Sequence, residues 1–215
     1  MNNTSNTKLA WATVGGVCGL ASIASYLSAS FVPLPDILSY VAAFAFGPLV
    51  AIGAVGLYHC LALQREGPLV QIATLFAIGA GVTVLLMLTT QQSIFGVMSA
   101  ARANSPDVST KEVYEKIALG LNSVHWGMDI AWDMLIGVSV VLFGISMLKH
   151  PRFGKIFGAL GIVLGVLLLG FNLYHFPTPP ASVDSIDWGP FVALWMTAAF
   201  ILLLRAKTWI REQVQ

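Results

Sequence analysis

Six long runs of apolar residues alternate with short polar segments along this chain. The runs cover residues 9–31, 38–63, 69–90, 121–148, 153–176 and 188–204. Each is close to the ~20 residues that an α-helix needs to cross the hydrocarbon core of a bilayer. The pattern therefore predicts an all-α protein, a polytopic bundle of six transmembrane helices that forms a single domain over residues 1–215.

The first apolar run is expected to remain in the protein as a helix. Lys8 precedes it, and Ser28-Ala29-Ser30 near its end would suit cleavage of a signal peptide. Its apolar stretch is longer than an ordinary signal core, however, and the residues before Lys8 are uncharged.

One sizeable hydrophilic segment interrupts the apolar pattern, between the third and fourth runs. Ser105-Pro106-Asp107 breaks the chain there, and Ser109 with Glu112 forms the pattern of a capping box. Glu112 and Lys116 are four residues apart in the order that stabilises a helix. We expect a short extracytoplasmic helix over residues 109–118, lying at the membrane surface as a solvated connector.

The fourth apolar run carries a polar stripe. Asn122, His125, Asp129 and Asp133 follow one another at spacings of three, four and four, which places them along one face of an α-helix. A carboxylate near the bilayer centre costs ~2.5–3.5 kcal/mol on insertion scales, so it normally faces a partner, a cavity or an ion. The stripe predicts a functional site, and hydrogen bonds that hold helices together are the alternative.

Composition agrees with a membrane protein and excludes several other classes. Hydrophobic residues make up 57% of the chain and charged residues 10%, with a mean hydropathy of +0.80. A soluble domain carries about 25% charged residues. The net charge of +1 gives no reason to expect a nucleic acid as a partner, so the partner expected first is the lipid bilayer. Cys18 and Cys60 lie inside apolar runs and are expected to be structural.

Other small or polar residues are expected to serve packing. Glycines four residues apart, which let helix backbones approach closely, are Gly15 and Gly19, Gly154 and Gly158, and Gly161 and Gly165. His59 is expected at a membrane interface, and His150 is expected to be an ordinary loop residue.

The distribution of Lys and Arg predicts the orientation. If both termini lie on one side, that side holds Lys8, Arg65, Lys149, Arg152, Lys155, Arg205, Lys207 and Arg211. The opposite side holds Arg102, Lys111 and Lys116. Because positive residues are enriched on the cytoplasmic side, both termini are expected in the cytoplasm.

With this topology, polar residues of three helices meet in the outer half of the membrane. Asp133 follows His125 by eight residues, or ~12 Å along the helix axis, and so lies near the midplane. We expect an outward-facing pocket that narrows towards Asp133 and binds a small ligand or ion. Its expected residues are Asn122, His125, Asp129, Asp133, Asn172, His175, Gln91 and Gln92.

Three chemistries fit this set of residues. His125, Asp129 and His175 could ligate a divalent metal such as zinc, with Asp133 as a catalytic base or as a group that orients a ligand. Asp133 could instead be the coupling carboxylate of a proton or cation transporter, since neighbouring carboxylates can share a proton. Haem held by His125 and His175 has no other support in the sequence. A structural subunit of a larger membrane complex remains a further alternative.

Several short motifs carry a resemblance to a known group. They are Trp132-Asp133, His150-Pro151-Arg152-Phe153-Gly154, Asn172-Leu173-Tyr174, Phe176-Pro177-Thr178-Pro179-Pro180 and Asp187-Trp188-Gly189-Pro190. In these the chain resembles a group of bacterial six-helix integral membrane proteins. The resemblance implies a multi-pass protein of the inner membrane and no particular activity. The metallohydrolases that include alkaline ceramidases also combine Ser, Asp and His in a helical bundle, but this chain lacks their paired histidines four apart on a late helix.

Overall fold

The computed structural model describes residues 3–105 and 107–213, and these residues form helices and no strands. The helices in chain order are α1 (Asn3–Phe31), α2 (Asp36–Leu61), α3 (Pro68–Ala103), α4 (Val108–Met147), α5 (Lys155–His175), α6 (Gly189–Arg205) and α7 (Lys207–Gln213). The helices α1 to α5 are each long and apolar enough to span a membrane. A sixth candidate span is formed by α6 and α7 together, which are bent by 52°. The chain is thus an all-helical, multi-pass bundle with five to six candidate spans.

The helices α3 and α4 form a hairpin that is much longer than predicted. The third apolar run continues as helix to Ala103, and α4 already begins at Val108. The separate surface helix expected over residues 109–118 is therefore wrong, because this segment is the first part of α4. Helices of 36 and 40 residues are about 54 and 60 Å long, against ~30 Å for a bilayer core. The hairpin therefore exceeds membrane length by roughly 20–30 Å.

Asp107 caps the start of α4, two residues before the predicted Ser109. Its carboxylate accepts hydrogen bonds from the Ser109 hydroxyl at 2.6 Å, the Thr110 backbone N–H at 2.8 Å and the Thr110 hydroxyl at 2.9 Å. These bonds, that of Ser109 first, lower the pKa of Asp107. The capping box predicted at Ser109 is wrong because Asp107 already satisfies the free N–H groups of the first turn. Near the same turn, Arg102 and Glu115 join the two helices in a 2.6 Å salt bridge.

Each long helix packs against the next one in the chain, and α6 packs mainly against α1. The α2–α3 and α4–α5 loops meet at one end of the bundle, where the Gln64 side-chain amide donates to the Lys149 carbonyl at 2.8 Å. Helix α7 lies at the same end, in contact with α1. We call this the termini end, formed by the start of α1, residues 62–67, residues 148–154 and α7. The opposite, hairpin end comprises residues 32–35, the α3–α4 turn and residues 176–188.

Glycines bring neighbouring helices into backbone contact. A Cβ atom added at Gly56 of α2 would lie 2.6 Å from the Cα of Gly15 in α1 and 2.9 Å from the Trp11 carbonyl oxygen. The same kind of contact joins the pairs Gly47 and Gly81, Gly137 and Gly165, and Gly144 and Gly158. The predicted close approach of helix backbones is therefore confirmed for Gly15, Gly19, Gly158 and Gly165, whereas Gly161 packs against the Trp195 side chain. Gly154 differs: it precedes α5 with a left-handed φ of 82°, and nothing lies within 4 Å of a Cβ atom added there.

His150 is a buried anchor of the termini end and not the ordinary loop residue that was expected. Its side chain is 1% exposed and packs edge-on against Trp209 of α7, with ring centroids 4.7 Å apart. Its Nδ1 accepts the Arg152 backbone N–H at 3.2 Å. Burial lowers the pKa of His150 from 6.5 to about 4; the backbone of Cys60 opposes this shift, and the charge of Arg152 adds to it. The loop and α7 are thus held together by a neutral imidazole.

Replacing Gly56 by alanine tests the backbone contact. The added methyl collides with the α1 backbone, so α1 and α2 must separate. We expect the free energy of unfolding in detergent to fall by about 1–3 kcal/mol, as in overpacked cores. Gly170→Ala is the matched control, since nothing lies within 4 Å of a Cβ at that helical position. Equal stabilities of the two variants would contradict the contact.

The neutral state of His150 predicts a pH dependence of stability. Below pH 6.5 the unfolded chain takes up a proton at this residue, while the folded chain does not until about pH 4. The free energy of unfolding should therefore fall through this window, by at most about 1.4 kcal/mol per pH unit. Thermal unfolding of the wild type and of His150→Phe at several pH values measures the difference. An identical slope in the variant would refute it.

Candidate functional site

The polar stripe of α4 reaches the centre of the bundle at Asp133. This carboxylate is 8% exposed, and its Oδ2 accepts a hydrogen bond from Nδ2 of Asn172 in α5 at 2.9 Å. Asn172 is 1% exposed and donates from the same nitrogen to the Leu168 carbonyl at 3.0 Å. Because both acceptors bind that nitrogen, the orientation of the amide is fixed by its surroundings. The structure thus brings together two of the predicted site residues from different helices.

Helix packing explains why these two polar groups face each other. Asp133 follows the buried Ile130 and precedes the buried Ile136 and Gly137, so it belongs to the face of α4 that points inward. On α5, Asn172 continues the buried series of Gly161, Leu164, Gly165 and Leu168. Gly137 and Gly165 hold the two helices in close contact beside the pair. The buried face of each helix therefore places these two polar side chains in the interior.

A small cavity of about 40 Å³ lies beside Asp133. It is lined by Ile23, Phe46, Val50, Trp132, Asp133, Ile136, Leu168, Gly189, Val192, Ala193 and Met196. Asp133 supplies the one charged side chain of this lining. A single water requires ~10–15 Å³ on the same measure, whereas pockets for organic ligands run to ~300–1,000 Å³. The space next to Asp133 is therefore large enough for a few water molecules and much smaller than an ordinary pocket for an organic ligand.

Two other carboxylates share the electrostatic environment of Asp133. Asp129 is one turn away on α4 and half-buried, and Asp187 precedes α6. Both are close enough for their negative charges to repel a negative charge on Asp133. Asp187 also acts on Asp129, and its Oδ1 accepts the Gly189 backbone N–H at 2.8 Å. Within the described residues, the charged groups that act on Asp129 and Asp133 are all acidic. The site is therefore electronegative and lacks an internal counter-charge.

Two residues close to the site, Asp187 and Tyr26, were not predicted from the sequence. The ring of Tyr26 in α1 packs on Phe46, a residue of the cavity lining, with ring centroids 5.1 Å apart. The signal for Asp187 was its position before a Gly-Pro helix start, where an acidic side chain can cap the N–H of Gly189. Tyr26 had no comparable signal, since its proximity depends on how α1 packs.

Several buried polar atoms in this half of the bundle have no hydrogen-bond partner within the described part of the chain. They are both ring nitrogens of His125, Oδ1 of Asn172 and Nε1 of Trp188. An unpaired buried polar group costs about 1–3 kcal/mol. This part of the interior therefore contains more donors and acceptors than its own side chains satisfy.

Among the described residues, none of the other predicted site residues forms a hydrogen bond with this pair. The His175 ring packs against Tyr174 and Phe171 at the end of α5. Among the described residues, no three His, Cys, Asp or Glu side chains converge as a metal ion would require. The structure thus does not assemble His125, Asp129 and His175 into the predicted metal set. Asn122, Gln91 and Gln92 are half-buried, and no hydrogen bond of their side chains occurs within those residues.

Asp133 is separated from the termini end by an apolar layer. The buried residues of α4 beyond it are Ile136, Gly137, Ser139, Val140, Phe143, Gly144 and Met147. The one hydroxyl among them, Ser139, donates to the Ala73 carbonyl of α3 at 2.8 Å. From Asp133 to Met147 is roughly 21 Å along the helix axis. The acidic groups near Asp133, by contrast, all lie towards the hairpin end.

Comparison with known proteins identifies no relative: no family model, curated protein or solved structure matches the chain. The resemblance to a group of bacterial six-helix membrane proteins therefore stays a prediction.

A double-mutant cycle tests the buried pair. Asn172→Leu leaves the Asp133 carboxylate without its donor, so we expect the free energy of unfolding to fall by about 1–3 kcal/mol. In an Asp133→Leu background the same change should cost clearly less, because no carboxylate remains to be satisfied. Asn122→Leu, on the same stripe, is the control and should have a small effect. Equal costs of Asn172→Leu in both backgrounds would contradict the coupling.

Proposed function

We propose that this protein binds a proton at Asp133 and uses its release and uptake in proton-coupled transport across a membrane. The observation that carries the proposal is a carboxylate, 8% exposed, whose one hydrogen-bond partner within the described residues is the neutral Asn172. A buried carboxylate without a cationic partner carries a desolvation penalty of several kcal/mol when ionised. Protonation of Asp133 removes that penalty, and the small cavity beside it provides the space through which a proton can reach the carboxylate.

The size and lining of the cavity favour a proton over other small ligands. Calcium takes 6–8 oxygen ligands and magnesium near-octahedral coordination. The cavity lining offers the carboxylate of Asp133 and otherwise mainly apolar side chains. An organic ligand does not fit in about 40 Å³. Of the small ligands or ions expected from the sequence, a proton with its hydrating water needs the fewest protein contacts.

The arrangement of charges favours access from the hairpin end. Asp187, Asp129 and Asp133 form a series that leads from that end towards the cavity, and the layer beyond Asp133 is apolar. The hairpin end carries six Asp and Glu residues against three Lys and Arg, which favours the approach of cations. We place this end outside the cytoplasm of a bacterial inner membrane, with both termini in the cytoplasm and six spans, because the opposite end is rich in Lys and Arg.

A membrane-soluble carbodiimide tests the proton site. Dicyclohexylcarbodiimide reacts with a protonated carboxyl group: the acid O–H adds across one C=N bond, and the acylisourea rearranges to a stable N-acylurea. We expect mass spectrometry to locate this adduct on Asp133, with a yield that falls as the pH is raised. Asp133→Asn should lose the adduct, while Asp184→Asn, which removes an exposed carboxylate at the same end, should keep it.

Other outcomes of this experiment favour the alternative functions. If Asp133 stays unmodified at every pH while Asp133→Asn merely lowers stability, the Asp133–Asn172 pair is helix-joining structure and the chain is better regarded as a subunit of a larger complex. Stoichiometric zinc in the purified protein, lost together with stability on chelation, would favour the metal-dependent enzyme. Infrared spectra report the protonated carboxyl band directly, and its absence from the difference between wild type and Asp133→Asn would overturn the proposal.

A further inference from the structure

The two ends of the bundle carry opposite charge, which the net charge of +1 conceals. The termini end holds eight of the eleven Lys and Arg residues, and its acidic residues are Glu66 and Glu212. The hairpin end holds the other three basic residues and six acidic ones, and the remaining two acidic residues, Asp129 and Asp133, lie within the bundle on α4. The termini end therefore has a formal excess of six positive charges.

In the described part of the chain, the basic residues of the termini end form no salt bridge. Within the described residues, the one salt bridge joins Arg102 and Glu115 at the opposite end. At the junction of α6 and α7, Arg205 and Arg211 are exposed and Lys207 is half-buried. We call these three residues the elbow cluster. Lys8 adds a further positive charge near the start of α1, the helix against which α7 packs.

Helix α7 holds the elbow cluster in a defined place. It turns by 52° from α6, and its apolar residues Trp209 and Ile210 are buried. Trp209 packs on the His150 ring at 4.7 Å, which ties α7 to the α4–α5 loop. Because the protein itself covers the apolar side of α7, the helix has no apolar face left to insert into lipid. Its exposed residues, Thr208 and Arg211 among them, point away from the bundle.

The position of the α6–α7 bend relative to the bilayer indicates which chemical groups would bind these basic side chains. The apolar part of α6 ends at Leu204, so the bend at Arg205 and Ala206 comes where a spanning helix leaves the hydrocarbon core. Lipid phosphates lie at this level, and Arg side chains bind phosphate through paired N–H groups. We propose that the elbow cluster binds the headgroups of anionic phospholipids in the leaflet that faces the termini end. This inference is independent of the proton site at Asp133.

The test compares lipids that differ in headgroup charge. Purified full-length protein in a neutral detergent is mixed with phosphatidylglycerol or with phosphatidylcholine of the same acyl chains, and the unfolding temperature is measured. We expect phosphatidylglycerol to raise the unfolding temperature more than phosphatidylcholine does, and added salt to reduce this preference. No preference in the wild type would overturn the proposal.

Matched charge-neutralised variants locate the effect. The first triple variant combines Arg205→Gln, Lys207→Gln and Arg211→Gln, and it should lose the preference for phosphatidylglycerol. The second combines Arg102→Gln, Lys111→Gln and Lys116→Gln. It removes the same charge from the hairpin end and should keep the preference. A third variant, which combines Arg205→Lys and Arg211→Lys, retains the positive charge. It should bind the anionic lipid more weakly than the wild type but still prefer it to phosphatidylcholine. This variant keeps the proposal testable if the neutral triple variant does not fold. Equal loss in both triple variants, or full rescue by inorganic phosphate without lipid, would contradict a lipid site at the elbow.

Discussion

The close approach of helix backbones at glycine is the constraint on which the rest of this structure depends. In a bilayer no hydrophobic force drives one helix against another, so van der Waals contact and interhelical hydrogen bonds must do so. Gly137 and Gly165 let α4 and α5 touch, and only at that separation can the short side chains of Asp133 and Asn172 reach 2.9 Å. Larger residues at these positions would hold the helices apart and leave both polar groups unsatisfied.

A second organising feature is the separation of charge along the bundle axis. Acidic side chains gather at the hairpin end and continue inward as Asp187, Asp129 and Asp133, whereas basic side chains gather around the α6–α7 bend. Between the two lies an apolar layer that includes Val140, Phe143 and Phe200. The interior is therefore polar in the half near the hairpin end and apolar in the half near the termini end. A cation or proton can reach Asp133 more favourably from the hairpin end.

Much of this could be predicted from sequence because it depends on local periodicity. The apolar runs identify the long helices, and the cost of burying Asp133 marks the centre of the site before any contact is known. Residues whose role depends on tertiary packing gave no such signal. Tyr26 and the buried state of His150 are of this kind, and α7 is too short to show a pattern. The length of the α3–α4 hairpin was missed because its outer part is polar, and a rule based on hydropathy ends a helix where the hydrocarbon ends.

That extra length gives α4 the geometry of a lever. The helix is continuous from Val108 at the hairpin turn to Met147, and its tightest contact with α5 is at Gly144 and Gly158. Val108 lies ~54 Å from that contact and Asp133 ~17 Å from it, at 1.5 Å per residue. Any tilt of α4 about this point moves the hairpin turn about three times as far as it moves Asp133. A displacement imposed on the turn would thus reach the interior as a smaller and correspondingly more forceful movement.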